Sequence, residues 1–251
     1  MHHKLALSSA ALCLVIGCHT KQPQPTCTVA LLDISASIYP EEVDREFEEM
    51  RKHASNMHRG DELILIPIMS NARNDTPGHI VQFVAPQSRA SFDSDLVAFR
   101  RSVDGQITEM RDWAKQQPAL HTDILGSLEI AAQKFQQMGE GKAELIVLSD
   151  FLQDDDHLNF TRDRAFTSVA AARALADELA KRQSRPICAV DTRLERIRSR
   201  DGSALPPLRL EAIDAFWSEF LNEGKIRTGS RIGNMYGKRA SSVVNNAPAA
   251  M

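Results

Sequence analysis

Asp33, Ser35 and Ser37 stand at alternate positions immediately after the apolar run Val29-Ala30-Leu31-Leu32. One carboxylate and two hydroxyls form an all-oxygen, low-charge cluster. Such a cluster suits a hard divalent cation, Mg²⁺ (or Mn²⁺), and offers nothing soft for zinc or copper. The same residue types also build helix-capping turns, in which Asp33 or Ser37 would only satisfy backbone N–H groups. The setting therefore matters as much as the motif. A short aliphatic run ending in a polar turn reads as a buried parallel strand reaching its C-terminal end, where ligands bind in open α/β sheets. Two further segments carry matching chemistry: Thr122-Asp123 at a helix start, and Asp150 at the end of the apolar run Leu145-Ile146-Val147-Leu148. If the two apolar runs are neighbouring strands, all three segments meet at one rim of the sheet.

The elements that would position these groups alternate along the chain. Pro40-Glu41-Glu42 gives a proline-led, acidic first helical turn, and the helix is expected to run to about His58. Gly60-Asp61 breaks it before a second strand over 62–69. Pro77-Gly78 precedes the run 80–84, and the short link to the strand before it predicts a hairpin partner and an antiparallel edge. Leu96, Phe99, Val103, Ile107, Met110 and Trp113 recur at helical steps within 94–117, with an interruption expected near Gly105. A helix opening at Thr122-Asp123 carries Leu128, Ala131, Ala132 and Phe135. The strand 143–148 follows, then an acidic loop Asp154-Asp155-Asp156, an alanine-rich helix over 165–183, and a short strand over 186–190. A last helix over 210–222 holds Phe216, Trp217 and Phe220, which read as core. This alternation predicts an α/β fold: a doubly wound, mostly parallel open sheet with one antiparallel edge strand and helices on both faces.

With these residues in order, the sequence resembles the von Willebrand factor type A domain family and its metal-ion-dependent adhesion site. The resemblance covers roughly residues 28–224. It implies that Ser35 and Ser37 ligate the ion directly and that Asp33 acts mainly through water. Thr122 comes from a second loop and Asp150 from a third. A cation held largely by uncharged hydroxyls is under-neutralised and keeps an open coordination position, which attracts a carboxylate from a protein partner. The expected function is therefore binding without catalysis. An alternative keeps the fold as an envelope scaffold or assembly component with a structural or vacant metal site. A Mg²⁺-dependent phosphohydrolase of the haloacid-dehalogenase type, with Asp33 as nucleophile, would want a second Asp at position 35. Serine there removes the general acid.

The front of the chain has a separate role. A short basic start is followed by an apolar stretch over 5–17, too short to span a bilayer as a mature helix. It ends in Val15-Ile16-Gly17-Cys18, which resembles the bacterial lipobox. This implies a signal peptide over 1–17, lipidation of Cys18, and a membrane anchor through the N-terminal lipid. His19 in place of Asp after Cys18 favours the outer membrane, with the domain facing the periplasm. Residues 18–27 read as the lipidated cysteine and a proline-containing linker, and residues 225–251, which carry no acid, as a disordered tail. The net charge of −3 argues against nucleic acid as a partner, and oligomeric state is left open. Cys27 and Cys188 are expected as buried free thiols, since they could form a disulfide only if their strands were neighbours. Asp123 reads as a helix N-terminal charge, Asp154 to Asp156 as a solvated loop, and His121 as an ordinary loop histidine. The Arg193, Arg196, Arg198, Arg200 run reads as an exposed turn.

Overall fold

The computed structural model describes residues 24–88, 92–138, 141–183 and 191–223. The signal segment, Cys18, the 186–190 strand with Cys188, and the 225–251 tail lie outside the described residues. In chain order the elements are β1 (Thr26–Asp33), α1 (Pro40–Ser55), β2 (Glu62–Ile68), α2 (Ala72–Asp75), β3 (Val81–Val84), α3 (Phe92–Gln116) and α4 (Ile124–Gln137). They continue with β4 (Lys142–Ser149), α5 (Val169–Arg182), β5 (Asp191–Arg196), α6 (Arg200–Ala204) and α7 (Pro207–Glu223). β1 begins at Thr26, two residues inside the segment read as linker.

The strands form one five-stranded sheet in the order β3-β2-β1-β4-β5. β1 is parallel to both β2 and β4, and β4 to β5, whereas β3 runs antiparallel at the edge. This is the doubly wound α/β fold expected from the sequence. The chain winds outward from β1 to β2 and then returns to place β4 on the other side of β1. The reversal opens a crevice at the C-terminal ends of β1 and β4, where Asp33 and Asp150 emerge.

Alternation along the strands divides the interior in two. Val29 and Leu31 of β1, Ile64 and Ile66 of β2, and Leu145 and Val147 of β4 pack with α4, α5 and α7. Ala30 and Leu32, Leu63 and Leu65, and Ile146 and Leu148 pack on the opposite face with α1 and α3. Both faces are covered, so the central strands read as continuous apolar runs. Phe216, Trp217 and Phe220 are buried in the first of these cores, as their helical spacing predicts. Cys27 is a buried free thiol at the start of β1, where burial and the neighbouring Glu62 push its pKa up to about 12.

Three local expectations are corrected. α3 runs without interruption through Gly105, where nothing lies within contact of the position a Cβ would take. The arginine run is not an exposed turn: Arg193 and Arg196 lie in β5, and Arg200 opens α6. β5 is an edge strand whose Thr192 and Leu194 point inward, while Arg193 and Glu195 pair with Glu49 and Arg45 of α1. The acidic loop is not simply solvated. Asp155 Oδ1 accepts from the His157 and Leu158 N–H groups and its Oδ2 from Gln153 Nε2, while Asp154 Oδ1 accepts from Asn159 Nδ2.

Candidate functional site

The β1–α1 turn leaves the sheet with its first carboxylate fully committed. Asp33 is completely buried. Its Oδ1 accepts from Ser35 N at 3.0 Å and its Oδ2 from Ser149 Oγ at 2.6 Å. Ser149 Oγ in turn accepts from Phe151 N at 2.9 Å. One hydroxyl at the end of β4 therefore connects the β1 turn to the β4 turn. Beyond Asp33, the hydroxyls of Ser35 and Ser37 lie 3.2 Å apart.

Asp150 follows Ser149 and is also buried. Its Oδ1 accepts from Leu152 N at 2.9 Å, whereas its Oδ2 has no hydrogen-bond partner among the described residues. Burial and the adjacent Asp33 carboxylate push the Asp150 pKa up to about 7, against partial relief from Ser199, the Leu152 N–H and Arg196. Burial likewise raises the pKa of Asp33, and hydrogen bonds from Ser149 and Ser35 offset part of the shift. Two buried carboxyl groups, close enough that the Asp33 charge raises the Asp150 pKa, form an electrostatic sink for a cation. The orphaned Oδ2 of Asp150 is the kind of buried atom that calls for an ion or a water. A third carboxyl, Glu46 of α1, is buried with both oxygens unpartnered among the described residues. Its pKa is raised well above the ordinary value by burial and then by the Asp33 charge.

Thr122 arrives on the loop between α3 and α4 and is held by the β4 turn. Thr122 N donates to Asp154 O at 2.8 Å, and Asp154 N donates back to Thr122 O at 2.9 Å. The same loop grips the β1 turn through Ala36 N to Ala119 O (2.8 Å) and Ala119 N to Ile34 O (3.1 Å). A fourth segment joins from β5: Arg200 N donates to Ser37 O at 2.9 Å, and the Arg200 guanidinium donates to Ala36 O. Ser35, Ser37 and Thr122 line one cavity of about 330 Å³, together with Asp154, Arg162 and Arg200. Asp33 and Asp150 lie buried outside its lining. His121 sits beside Thr122 with its Nδ1 3.1 Å from Asp154 Oδ2.

Asp123 does not join the hydroxyl cluster. It is the N-cap of α4: Oδ1 accepts from Gly126 N at 2.8 Å, and Oδ2 from Ala72 N at 3.1 Å. The helix-terminus reading is the observed one. Sequence reasoning missed Gln153, a fully buried amide. Its Oε1 accepts from Ile124 N (2.8 Å) and Leu125 N (3.0 Å), and its Nε2 donates to Asp123 Oδ1 (3.2 Å) and Asp155 Oδ2 (2.6 Å). Gln153 thus completes the α4 cap from the β4 turn and fixes where Thr122 stands. Ser149 was missed too, although a hydroxyl closing an otherwise apolar strand was a visible signal.

Between Asp150 and Leu152 the backbone turns through Phe151, at φ 62°, a left-handed conformation uncommon for a bulky residue. Trp217 Nε1 of α7 donates to Phe151 O at 2.9 Å, and the two rings meet edge to face at 5.8 Å between centroids. Packing from α7 holds this conformation in place.

The donor set can be tested against a divalent cation on these observations. Among the described residues no group of three His, Cys, Asp or Glu side chains is placed to hold a metal. The buried carboxyl pair, the unpartnered Asp150 oxygen and the three hydroxyl residues on one cavity wall fit a hard cation better than a soft one.

No protein-family model matches the chain, and no curated protein matches it. Among solved structures it is similar to an aerotolerance-related membrane protein from Bacteroides fragilis, crystallised with multiple mutations to serine. That match has 15% identity over 80% of this chain and 88% of the other, at a TM-score of 0.37. It is similar to a von Willebrand factor type A protein from Catenulispora acidiphila, at 13% identity over 80% of this chain and 43% of the other, with a TM-score of 0.41. It is also similar to the three N-terminal domains of a type V pilus tip protein from Porphyromonas gingivalis. There the identity is 12% over 63% of this chain and 26% of the other, with a TM-score of 0.35.

Proposed function

We propose that this protein binds a protein partner through a divalent cation, Mg²⁺ or Mn²⁺, held at the crevice between β1 and β4. Ser35, Ser37 and Thr122 would supply the direct oxygen ligands, with Asp33 and Asp150 providing negative charge beneath them. The observation that carries this reading is Asp150 Oδ2, buried and without a hydrogen-bond partner among the described residues, beside a second buried carboxyl. When bound, the cation supplies an open coordination position that takes a carboxylate from the partner. The chain's own residues fix the ligand oxygens, keep both carboxyl groups out of bulk water and leave the cavity open above them. Hydrolysis with Asp33 as nucleophile is disfavoured, because that carboxylate is fully buried and both of its oxygens already accept hydrogen bonds.

The setting we propose is the bacterial envelope, with the domain tethered by a lipid on Cys18 to the outer membrane and facing the periplasm. Support comes from the lipobox-like Val15-Ile16-Gly17-Cys18. In addition, no helix among the described residues is long and apolar enough to cross a membrane. The experiment is native-envelope cross-linking with Mg²⁺ or with a chelator, paired with melting of the purified protein in a Mg²⁺ series. The expected result is Mg²⁺-dependent capture and a rising melting temperature, both lost in Ser35→Ala and Thr122→Ala. Capture that ignores the chelator would instead indicate a scaffold with a structural or vacant site. Equal Mg²⁺ stabilisation of the variants would overturn the ligand assignment.

A further inference from the structure

The cavity above the hydroxyl cluster is larger than one coordinating carboxylate requires. At about 330 Å³ it falls at the lower end of pockets that enclose whole small ligands, roughly 300–1,000 Å³. Two of the residues on its wall are exposed arginines from different segments, Arg162 after β4 and Arg200 at the start of α6. We propose that the site recognises a partner segment carrying two acidic groups, one directed to the metal and the second to the guanidinium groups of Arg162 and Arg200. This inference rests on the metal-dependent reading above and specifies the partner's chemistry.

Arg162 is anchored by its backbone. Its N–H donates to Asn159 Oδ1 at 3.0 Å. The same turn is braced by Arg209 Nη1, which donates to Phe160 O at 2.9 Å and Asp163 O at 3.2 Å. Among the described residues the Arg162 guanidinium has no hydrogen bond or ion pair, so its full donor fork is available. Arg200 uses part of its fork on Ala36 O. A guanidinium has five N–H donors, so others remain. A planar fork of donors matches a carboxylate with two parallel hydrogen bonds, which a lysine cannot reproduce.

The acids on the wall limit what can enter. Asp154 is engaged by Asn159 and His121, which fixes its carboxylate in place on the wall. Asp201 also lines the cavity and is exposed, so a diffuse polyanion would meet repulsion there. Two discrete charges avoid it. Leu120, 80% exposed on the same wall, gives an apolar surface suited to the methylene groups of an acidic side chain. An acidic peptide segment is therefore favoured over a polyphosphate or a nucleic acid.

The test uses the detergent-solubilised full chain and three acetylated, amidated tripeptides: Glu-Gly-Glu, Glu-Gly-Gln and Gln-Gly-Gln. Each is titrated by calorimetry in Mg²⁺ and in EDTA. Two equivalent carboxylates give a twofold statistical advantage with no second site, so the expected result is an advantage of roughly tenfold for Glu-Gly-Glu over Glu-Gly-Gln, the size of one charge-assisted hydrogen bond. In Arg162→Gln, and in Arg162→Gln combined with Arg200→Gln, the ratio between these two peptides should fall toward twofold. A ratio of about two in the unaltered protein, with Mg²⁺-dependent binding of both Glu peptides, would overturn this inference and leave the metal reading standing. Binding of no peptide above the EDTA level would overturn both. Equal binding of Glu-Gly-Glu in Mg²⁺ and EDTA would also overturn the two-point scheme, because the arginines alone would then suffice.

Discussion

Asp150→Asn isolates the electrostatic work done at the crevice. Folding takes this carboxyl from the ordinary 3.8 to about 7, chiefly through burial and then through the Asp33 charge. The folded state therefore keeps a proton that the unfolded chain releases above about pH 4. The protein binds more protons folded than unfolded across this window, so the metal-free stability falls as pH rises from about 4 to about 7. A displacement of about three units corresponds to about 4 kcal/mol for the buried pair. Asparagine has the same shape, keeps an oxygen to accept from Leu152 N and never ionises. The gap in unfolding free energy, variant minus unaltered protein, should thus widen by about 4 kcal/mol between pH 4 and pH 8. For a domain of this size that is roughly 8–16 °C in melting temperature. Urea unfolding at a series of pH values in EDTA reads it directly. Saturating Mg²⁺ at pH 8 should then restore the unaltered protein, by about 3 kcal/mol at a hundredfold excess over the dissociation constant, and leave the variant unmoved. A gap that stays constant or narrows with rising pH would refute the electrostatic account.

Other substitutions probe the scaffold around the site. Gln153→Leu should destabilise by roughly 2–4 kcal/mol in urea unfolding, because it strands Ile124 N and Leu125 N at the α4 terminus and removes one donor each from Asp123 and Asp155. Gly126→Ala should also destabilise, by about 1–3 kcal/mol on thermal unfolding: an added Cβ would lie 2.8 Å from Ala72 Cβ and 2.2 Å from Asp123 Oδ2, and that crowding outweighs the roughly 1 kcal/mol of helix propensity gained. Trp217→Phe keeps an aromatic ring but removes the donor to Phe151 O, so a loss of about 1–3 kcal/mol is expected by denaturant titration, with weaker Mg²⁺ stabilisation as the Asp150 turn loosens. Cys18→Ser should move the mature protein from the membrane to the soluble fraction and abolish incorporation of labelled fatty acid.

The fold was legible because its central strands are buried on both faces and so appear as uninterrupted aliphatic runs, with helices of clear period between them. The short Pro77-Gly78 link was enough to identify the antiparallel edge. β5 was not legible. As an edge strand it needs only Thr192 and Leu194 inside, and its charged Arg193 and Glu195 pair with α1 while Arg196 pairs with Asp214 of α7, interactions no local pattern reveals. Of the candidate site, Ser35, Ser37 and Thr122 are brought to one cavity, and Asp33 is buried close enough to Asp150 to raise its pKa. Gln153 and Ser149 escaped notice because their importance lies in whom they reach across the sheet rather than in their spacing. Asp154 and Asp155 looked like a solvated acidic loop, yet hydrogen bonds to Thr122, Asn159, His121 and Gln153 give them fixed positions. Arg162 and Arg200 lie far apart in sequence, and only the fold places them on one wall.

The backbone bonds that join the β1 turn to the α3–α4 loop, that loop to the β4 turn, and the β1 turn to α6 have a thermodynamic consequence. Four segments are already stitched to one another before anything binds. Ordering entropy, which at a floppy recognition loop offsets much of the contact energy, is here spent during folding of the domain itself. Capture should therefore proceed with little change in heat capacity beyond that of the surface covered. The domain behaves as a rigid socket, and differences between competing partners should appear in how long each stays rather than in how fast each arrives.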